Sequence, residues 1–295
     1  MDNLGMILKC VAGVYDVLIG NTVYSAYAAG KFRNQKISPL VGDNVLIKFS
    51  EREGEKNLIT EIQERKNALL RPSVANINTL LITFAVKKPN PDLKLVDQLI
   101  CYCRMLDIEP VICINKSDYD ISFANELCEQ YKKSNIRAFI TSADSNTGIE
   151  ELKESIKKGI TCFCGQSAVG KSSLTNLIIG KKIFETGGLS KKTERGKHTT
   201  RHCELVSFGQ DKWLVDTPGF SLLEAPELSP EDFKDLYTEF FDYSNECRFI
   251  GCNHINEPDC AVKQAVSDGK LSEERYERYK ELYLEVNEKW RKRYD

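Results

Sequence analysis

Gly165-Gln166-Ser167-Ala168-Val169-Gly170-Lys171-Ser172 is the stretch on which the fold turns. It fits G-x-x-x-x-G-K-[ST] and lies between an apolar run, residues 160–164, and a helix-forming run, residues 171–179, that Gly180 stops. A phosphate loop needs that strand-to-helix context. Two glycines let the backbone wrap phosphate oxygens, and the helix start aims N–H groups at them. Lys171 can then reach the β and γ oxygens, and Ser172 can bind Mg²⁺. The expected nucleotide contacts run from Gly165 through Ser173, with Lys171 serving catalysis as well. Ala168 stands where several potassium-activated GTPases carry Asn, which argues against activation by K⁺.

Outward from this loop, strands and helices alternate. Residues 80–85, 110–114 and 138–141 read as buried strands. The run from an Asp92 cap to Cys103, residues 123–133, and residues 149–158, ended by Gly159, read as helices. The alternation predicts a mostly parallel sheet covered on both faces, with ligands at the carboxyl ends of its strands. Asn115-Lys116-Ser117-Asp118 follows one such end. Guanine offers an N1–H and an N2 amine that a carboxylate can accept together, and adenine offers neither. Asp118 is therefore the expected guanine reader, Asn115 braces its loop, and the Lys116 stem lies against the purine. Ser142 and Ala143, past another strand end, are placed to donate a backbone N–H to the guanine oxygen. Asp216-Thr217-Pro218-Gly219 follows the strand 213–215, where Asp216 would hold Mg²⁺ through water and Gly219 would contact the γ-phosphate.

Residues 181–201 carry seven Lys or Arg against two acids and read as a first switch loop. Thr199 or Thr200 would add the second Mg²⁺ hydroxyl. The basic excess suits either RNA phosphate or plain solvation. The position after Gly219, often a water-orienting Gln, is Phe220, so slow intrinsic hydrolysis and a partner-dependent switch are expected.

The flanks differ from this centre. Val14–Ile19, Thr22–Ala28, residues 44–49 and residues 58–62 are rich in β-formers with turn punctuation, which suits a small barrel of the OB type. Its Lys31, Arg33 and Lys36 loop fits phosphate contact or an ordinary solvated surface. Near the other end, Cys247, Cys252, His254 and Cys260 form C-x4-C-x-H-x5-C. A random fourteen-residue window of this composition would hold about half a cysteine. Three thiolates and an imidazole imply one closed, structural Zn²⁺ per chain, folding a module too small for its own core. Cys101, Cys103, Cys113, Cys162 and Cys164 read as small buried hydrophobes.

Composition is compatible with this reading. The 295 residues include 41 Lys plus Arg and 43 Asp plus Glu, a net charge of −2, so bulk charge gives no case for nucleic acid. No apolar run approaches a bilayer span and no signal-peptide order opens the chain, so the expectation is a cytoplasmic protein with reduced thiols and no membrane partner. The average hides local extremes: residues 221–246 carry eight acids against one Lys.

The motif order is unusual. Base reader, phosphate loop, then Asp216 to Gly219 reverses part of the ordinary GTPase order, as in circularly permuted GTPases. With a barrel before and a Cys/His cluster behind, the whole chain resembles the RsgA (YjeQ/YloQ) family of bacterial ribosome-assembly GTPases. The resemblance implies an α/β chain in three parts: an RNA-binding barrel at 1–70, a permuted GTPase domain at 71–222 and a helical zinc-binding domain at 223–295. It also implies GTP and GDP, the small ribosomal subunit and its rRNA as partners of a monomer that acts late in subunit maturation and is stimulated by the subunit. His198 occupies the position of a histidine considered for catalysis in that family. A phosphate-transferring kinase or ATPase is opposed by Asn115 to Asp118, and an RNA scaffold with a vestigial site is opposed by Lys171, Ser172 and Asp216.

Overall fold

The computed structural model describes residues 3–50, 52, 55–69, 72–182, 203–216 and 228–293. The chain packs as two units. One is Met1–Leu80, Lys153–Phe163 and Lys171–Phe220; the other is Leu81–Leu152, Cys164–Gly170 and Ser221–Asp295.

The first unit opens as a barrel. Its strands are β1 (Leu4–Val11), β2 (Val14–Ile19), β3 (Thr22–Ala28), β4 (Asn44–Lys48) and β5 (Asn57–Ile62), with α1 (Lys31–Asn34) after β3. β1 pairs β2, β2 pairs β3, β3 runs parallel to β5, and β5 pairs β4. β4 returns to β1 and closes five strands without a free edge. Alternate side chains fill the inside: Ile7, Val17, Ala26, Val45, Ile47 and Ile59 are all buried. The expected basic loop is partly helical, because Phe32 is buried and anchors α1 while Lys31, Arg33 and Lys36 stay exposed. β6 (Ala68–Leu69) and β7 (Val74–Ala75) form a short ribbon before β8 (Ile77–Ala85).

The second unit takes over within β8. It continues with α2 (Leu93–Met105), β9 (Glu109–Asn115), α3 (Ile121–Lys132), β10 (Arg137–Ile140) and most of α4 (Ile149–Ser155). β9 sits between β8 and β10 and runs parallel to β10. Both long helices start on aspartate caps: Asp92 accepts from Leu95 N at 3.0 Å, and Asp120 accepts from Phe123 N at 3.1 Å. α4 ends at Ser155, not at Lys158 as the sequence pattern predicts. Gly159 opens the next strand because its N–H donates to Asp211 O at 2.7 Å.

Back in the first unit, β11 (Gly159–Cys164) leads to α5 (Lys171–Ile179), then β12 (Glu204–Gly209) and β13 (Lys212–Asp216). β11 and β13 are parallel. β12, which the sequence reading did not find, is antiparallel to β13 and also to β1, with Lys9 opposite Glu204 and ion-paired to it at 2.6 Å. The sheet is therefore mixed at this side, and barrel strand and nucleotide-fold strand share one ladder.

The remaining helices of the second unit are α6 (Pro230–Asp235), α7 (Phe241–Ser244), α8 (Ala261–Ser267) and α9 (Glu273–Arg291). Ser229 and Ser272 cap α6 and α9, accepting from Asp232 N and Arg275 N. Among the described residues no helix is long and apolar enough to cross a membrane.

Candidate nucleotide site and metal centre

The phosphate loop spans the end of β11 and the first turn of α5. Its glycines are required by position. Gly165 has φ +126°, and a Cβ there would lie 1.9 Å from Thr83 O. Gly170 has φ +100°, and a Cβ would lie 2.3 Å from Asn115 Nδ2. No side chain fits either place without moving backbone or the base-reading loop.

Asn115, at the end of β9, ties three loops together from a buried position. Its Nδ2 donates to Val169 O at 2.8 Å in the phosphate loop. Its Oδ1 accepts from Thr141 Oγ1 and from Ala143 N, each at 3.2 Å. Lys116 adopts φ +58° and donates from Nζ to Ala168 O at 2.9 Å and to Lys88 O at 2.5 Å, so its stem crosses between loops. Ser142 Oγ donates to Asp118 Oδ1, which fixes the carboxylate. Ser117 is buried and donates from its backbone N to Thr141 O at 3.1 Å. The bracing expected of Asn115 is thus a set of direct bonds.

Ser142 N–H donates to Thr147 O at 3.0 Å within its turn, and its hydroxyl acts on Asp118. Ala143 N–H donates to Asn115 Oδ1 at 3.2 Å. A contact that sequence reasoning missed joins Gln166 to α2: Gln166 Oε1 accepts from Asp92 N at 3.2 Å. Nothing in a lone Gln signals such a contact.

β13 ends on Asp216 and runs parallel to β11, so both strands present their carboxyl ends in the same direction. His198, Thr199, Thr200, Gly219 and Phe220 lie outside the described residues.

Cys247, Cys252, His254 and Cys260 converge, their ligand atoms all within 4.8 Å of one another. Cys247 Sγ is 3.9 Å from Cys260 Sγ and 3.6 Å from His254 Nδ1, which is 3.4 Å from Cys260 Sγ. A tetrahedral zinc site has S···S edges of about 3.8 Å and S···N edges of about 3.6 Å, from metal–ligand lengths near 2.3 and 2.1 Å. Cys247, His254 and Cys260 are close to such edges, Cys252 lies within 4.8 Å of them, and the four residues could hold a metal. Burial pushes the Cys252 thiol up to about 12, so a bound cation is what would draw off its proton. Burial, with Lys234 nearby, lowers the His254 imidazole to about 4, which leaves it neutral and ligand-ready at pH 7. Its folded value lies below the unfolded one. The stability it contributes is therefore complete above about 6.5 and is lost as pH falls toward 4.

The loop carrying these ligands is held from outside. Tyr276 Oη donates to His254 O and Tyr279 Oη to Asn253 O, both at 2.6 Å. Glu257 accepts from the backbone N–H of Asn253, Ile255 and Asn256. The Phe240 ring meets His254 edge to face at 5.6 Å. The expectation of a module without a core is corrected here. Phe233, Tyr237, Phe240, Tyr276, Tyr279 and Tyr283 are buried together with Cys252, Cys260 and Cys101 of α2. The aromatic stripe of α9 faces α6 and the metal loop, and this interleaving creates the core.

A buried ion network, illegible in the sequence, ties this core to α2. Arg275 of α9 pairs with Asp97 of α2 and, at 2.6 Å, with Glu239; Arg278 reaches Asp97 at 2.5 Å, and Arg104 reaches Glu239 at 3.2 Å. Asp97, Glu239 and Arg275 are all buried. Burial alone would raise the Glu239 carboxyl, but Arg275 and Arg104 outweigh it and hold it below its ordinary value.

A phosphate loop between strand and helix, braced by the Asn115 loop that precedes it in the chain, defines a circularly permuted P-loop GTPase. Residues 62–226 match the family model of the RsgA GTPase, and residues 4–55 match that of the RsgA N-terminal domain. The chain belongs to the RsgA family. A relative from Agathobacter rectalis, named small ribosomal subunit biogenesis GTPase RsgA, is 41% identical across 96% of this chain and 97% of its own. One of the same name from Caldanaerobacter subterraneus is 42% identical across 98% of each. Among solved structures, YjeQ from Thermotoga maritima is similar with a TM-score of 0.81 at 32% identity, covering 97% of this chain and 99% of that one. The circularly permuted GTPase YloQ has a TM-score of 0.80 at 30% identity, covering 98% and 96%.

Proposed function

We propose that this chain binds GTP with Mg²⁺, hydrolyses it slowly alone and faster on the small ribosomal subunit, and serves late maturation of that subunit as a cytoplasmic monomer that contacts rRNA. The observation that carries the reading is Asn115, whose side-chain amide holds the guanine-reading loop, the Thr141 to Ala143 turn and the phosphate loop in one arrangement. Parts 1–70, 71–222 and 223–295 act as barrel, GTPase and metal module.

In this reading Asp118 accepts from the guanine edge while Ser142 Oγ keeps it oriented, and the Ser142-Ala143 backbone donates an N–H to the guanine oxygen. Gly165 to Ser173 cradle the phosphates, Lys171 stabilises charge developing on the β and γ oxygens, and Gly219 contacts the γ-phosphate. Ser172, Thr199 or Thr200, and Asp216 through water hold Mg²⁺. His198 assists attack by water, since Phe220 cannot orient one. Zn²⁺ occupies the Cys247, Cys252, His254 and Cys260 cage and cross-links it, without a catalytic part.

Two measurements test the reading. GTP turnover is expected to rise when purified small subunits are added; no rise removes the ribosomal assignment and leaves the GTPase chemistry standing. Asp118→Asn puts an amine against the guanine donors, and GTP affinity measured by fluorescence titration is expected to fall about 100-fold or more. Unchanged affinity would place the base elsewhere.

A further inference from the structure

Between Cys247 and Cys252 the chain turns through Arg248, Phe249, Ile250 and Gly251. Ile250 is fully exposed and Phe249 is 43% exposed. Single exposed apolar residues are ordinary. This pair differs because its turn is held by several contacts. Candidate metal ligands bound it on both sides, Gly251 supplies a φ of +74°, and Cys252 N donates to Phe249 O at 3.3 Å. Arg248 stacks 5.5 Å from the Phe249 ring centre and pairs with Asp259 at 2.8 Å. A pinned turn with an uncovered apolar tip loses little conformational freedom on docking, as interface anchors do.

Charge selects the partner. Residues 241–260 carry Asp242, Glu246, Glu257 and Asp259 against Arg248, which Asp259 already meets, and Lys234 reaches the same loop at Cys252 O, 3.4 Å away, so the acids remain in excess. Such a surface repels a phosphate backbone and attracts a basic one. We propose that the Phe249-Ile250 tip inserts into an apolar cleft with a basic rim on a protein of the small ribosomal subunit, and not onto its RNA. The inference rests on the ribosomal reading above and assigns that reading a contact surface.

The test uses the full-length chain, a non-hydrolysable GTP analogue and purified small subunits. Ile250→Asp and Phe249→Ala are each expected to weaken co-sedimentation about tenfold, with basal GTP hydrolysis and metal content unchanged, while Ile250→Leu binds as the parent does. With benzoylphenylalanine at position 250, light is expected to join the chain to a subunit protein. Parental affinity in both weakening variants overturns the proposal. So does cross-linking to RNA, to a second copy of the chain, or to nothing. A parent chain that fails to bind subunits overturns the ribosomal reading and this inference with it, which separates the two failures.

Discussion

Cys260→Ser is expected to cost the chain its metal and the order of the C-terminal helices. Metal content should fall from about one equivalent to near none, and limited proteolysis should cut between α6 and α9 where the parent resists. The cause is geometric. Cys260 ends the ligand loop and begins α8, and its sulfur lies 3.9 Å from Cys247 and 3.4 Å from His254 Nδ1. Removing one corner leaves three ligands and a gap in a cluster that also belongs to the aromatic core. In small zinc-dependent peptides the metal supplies about 10–16 kcal/mol of folding free energy. Here the buried rings carry part of that load, so strong destabilisation of the module is expected, without global loss of the chain. A chelator should reproduce the effect in the parent. Retention of metal by Cys260→Ser, or parental resistance to protease without metal, would refute the closed four-ligand site.

Arg275→Ala carries the second large effect. It removes the cation that Asp97 and Glu239 share inside the second unit, leaving two carboxylates buried with only Arg278 and Arg104 near them. Breaking a buried pair in this way typically costs about 3–5 kcal/mol, because the remaining charge cannot be solvated. Urea unfolding should report a loss of that size. A loss near that of an exposed salt bridge would mean that water already reaches the network. Acid should mimic the mutation. Glu239 has a folded value below its ordinary 4.5, so its contribution is complete above that value and is lost as pH falls beneath it.

The two predictions mark where sequence reasoning succeeds and where it stops. The four candidate metal ligands were readable because three cysteines and a histidine lie within fourteen residues, and short loops bring such residues together by local geometry alone. Asp92 was equally local, as a cap beside a helix start. Arg275 was not readable. It lies in a helix full of charged residues, and only the fold places it against Asp97, 178 positions earlier. A charged residue looks solvated until its partner is known, and the partner belongs to another element. β12 was missed although its hairpin with β13 is local; its ladder with β1, which joins residues 195 apart, was unreadable for the same reason as Arg275.

By itself the sequence determined the chemistry on offer. It established the phosphate loop between strand and helix, the Asn115 to Asp118 tetrapeptide placed before it, the permuted order, a strand-rich first segment and a Cys/His cluster, because each is written in short-range spacing. Only the tertiary structure decided how these parts are held: Asn115 bonded from its own loop to two others, Ser142 acting through its hydroxyl while its N–H is spent in a turn, and an aromatic core around the candidate metal ligands. These depend on which distant segments meet, and that is settled by packing and burial, which no local spacing encodes.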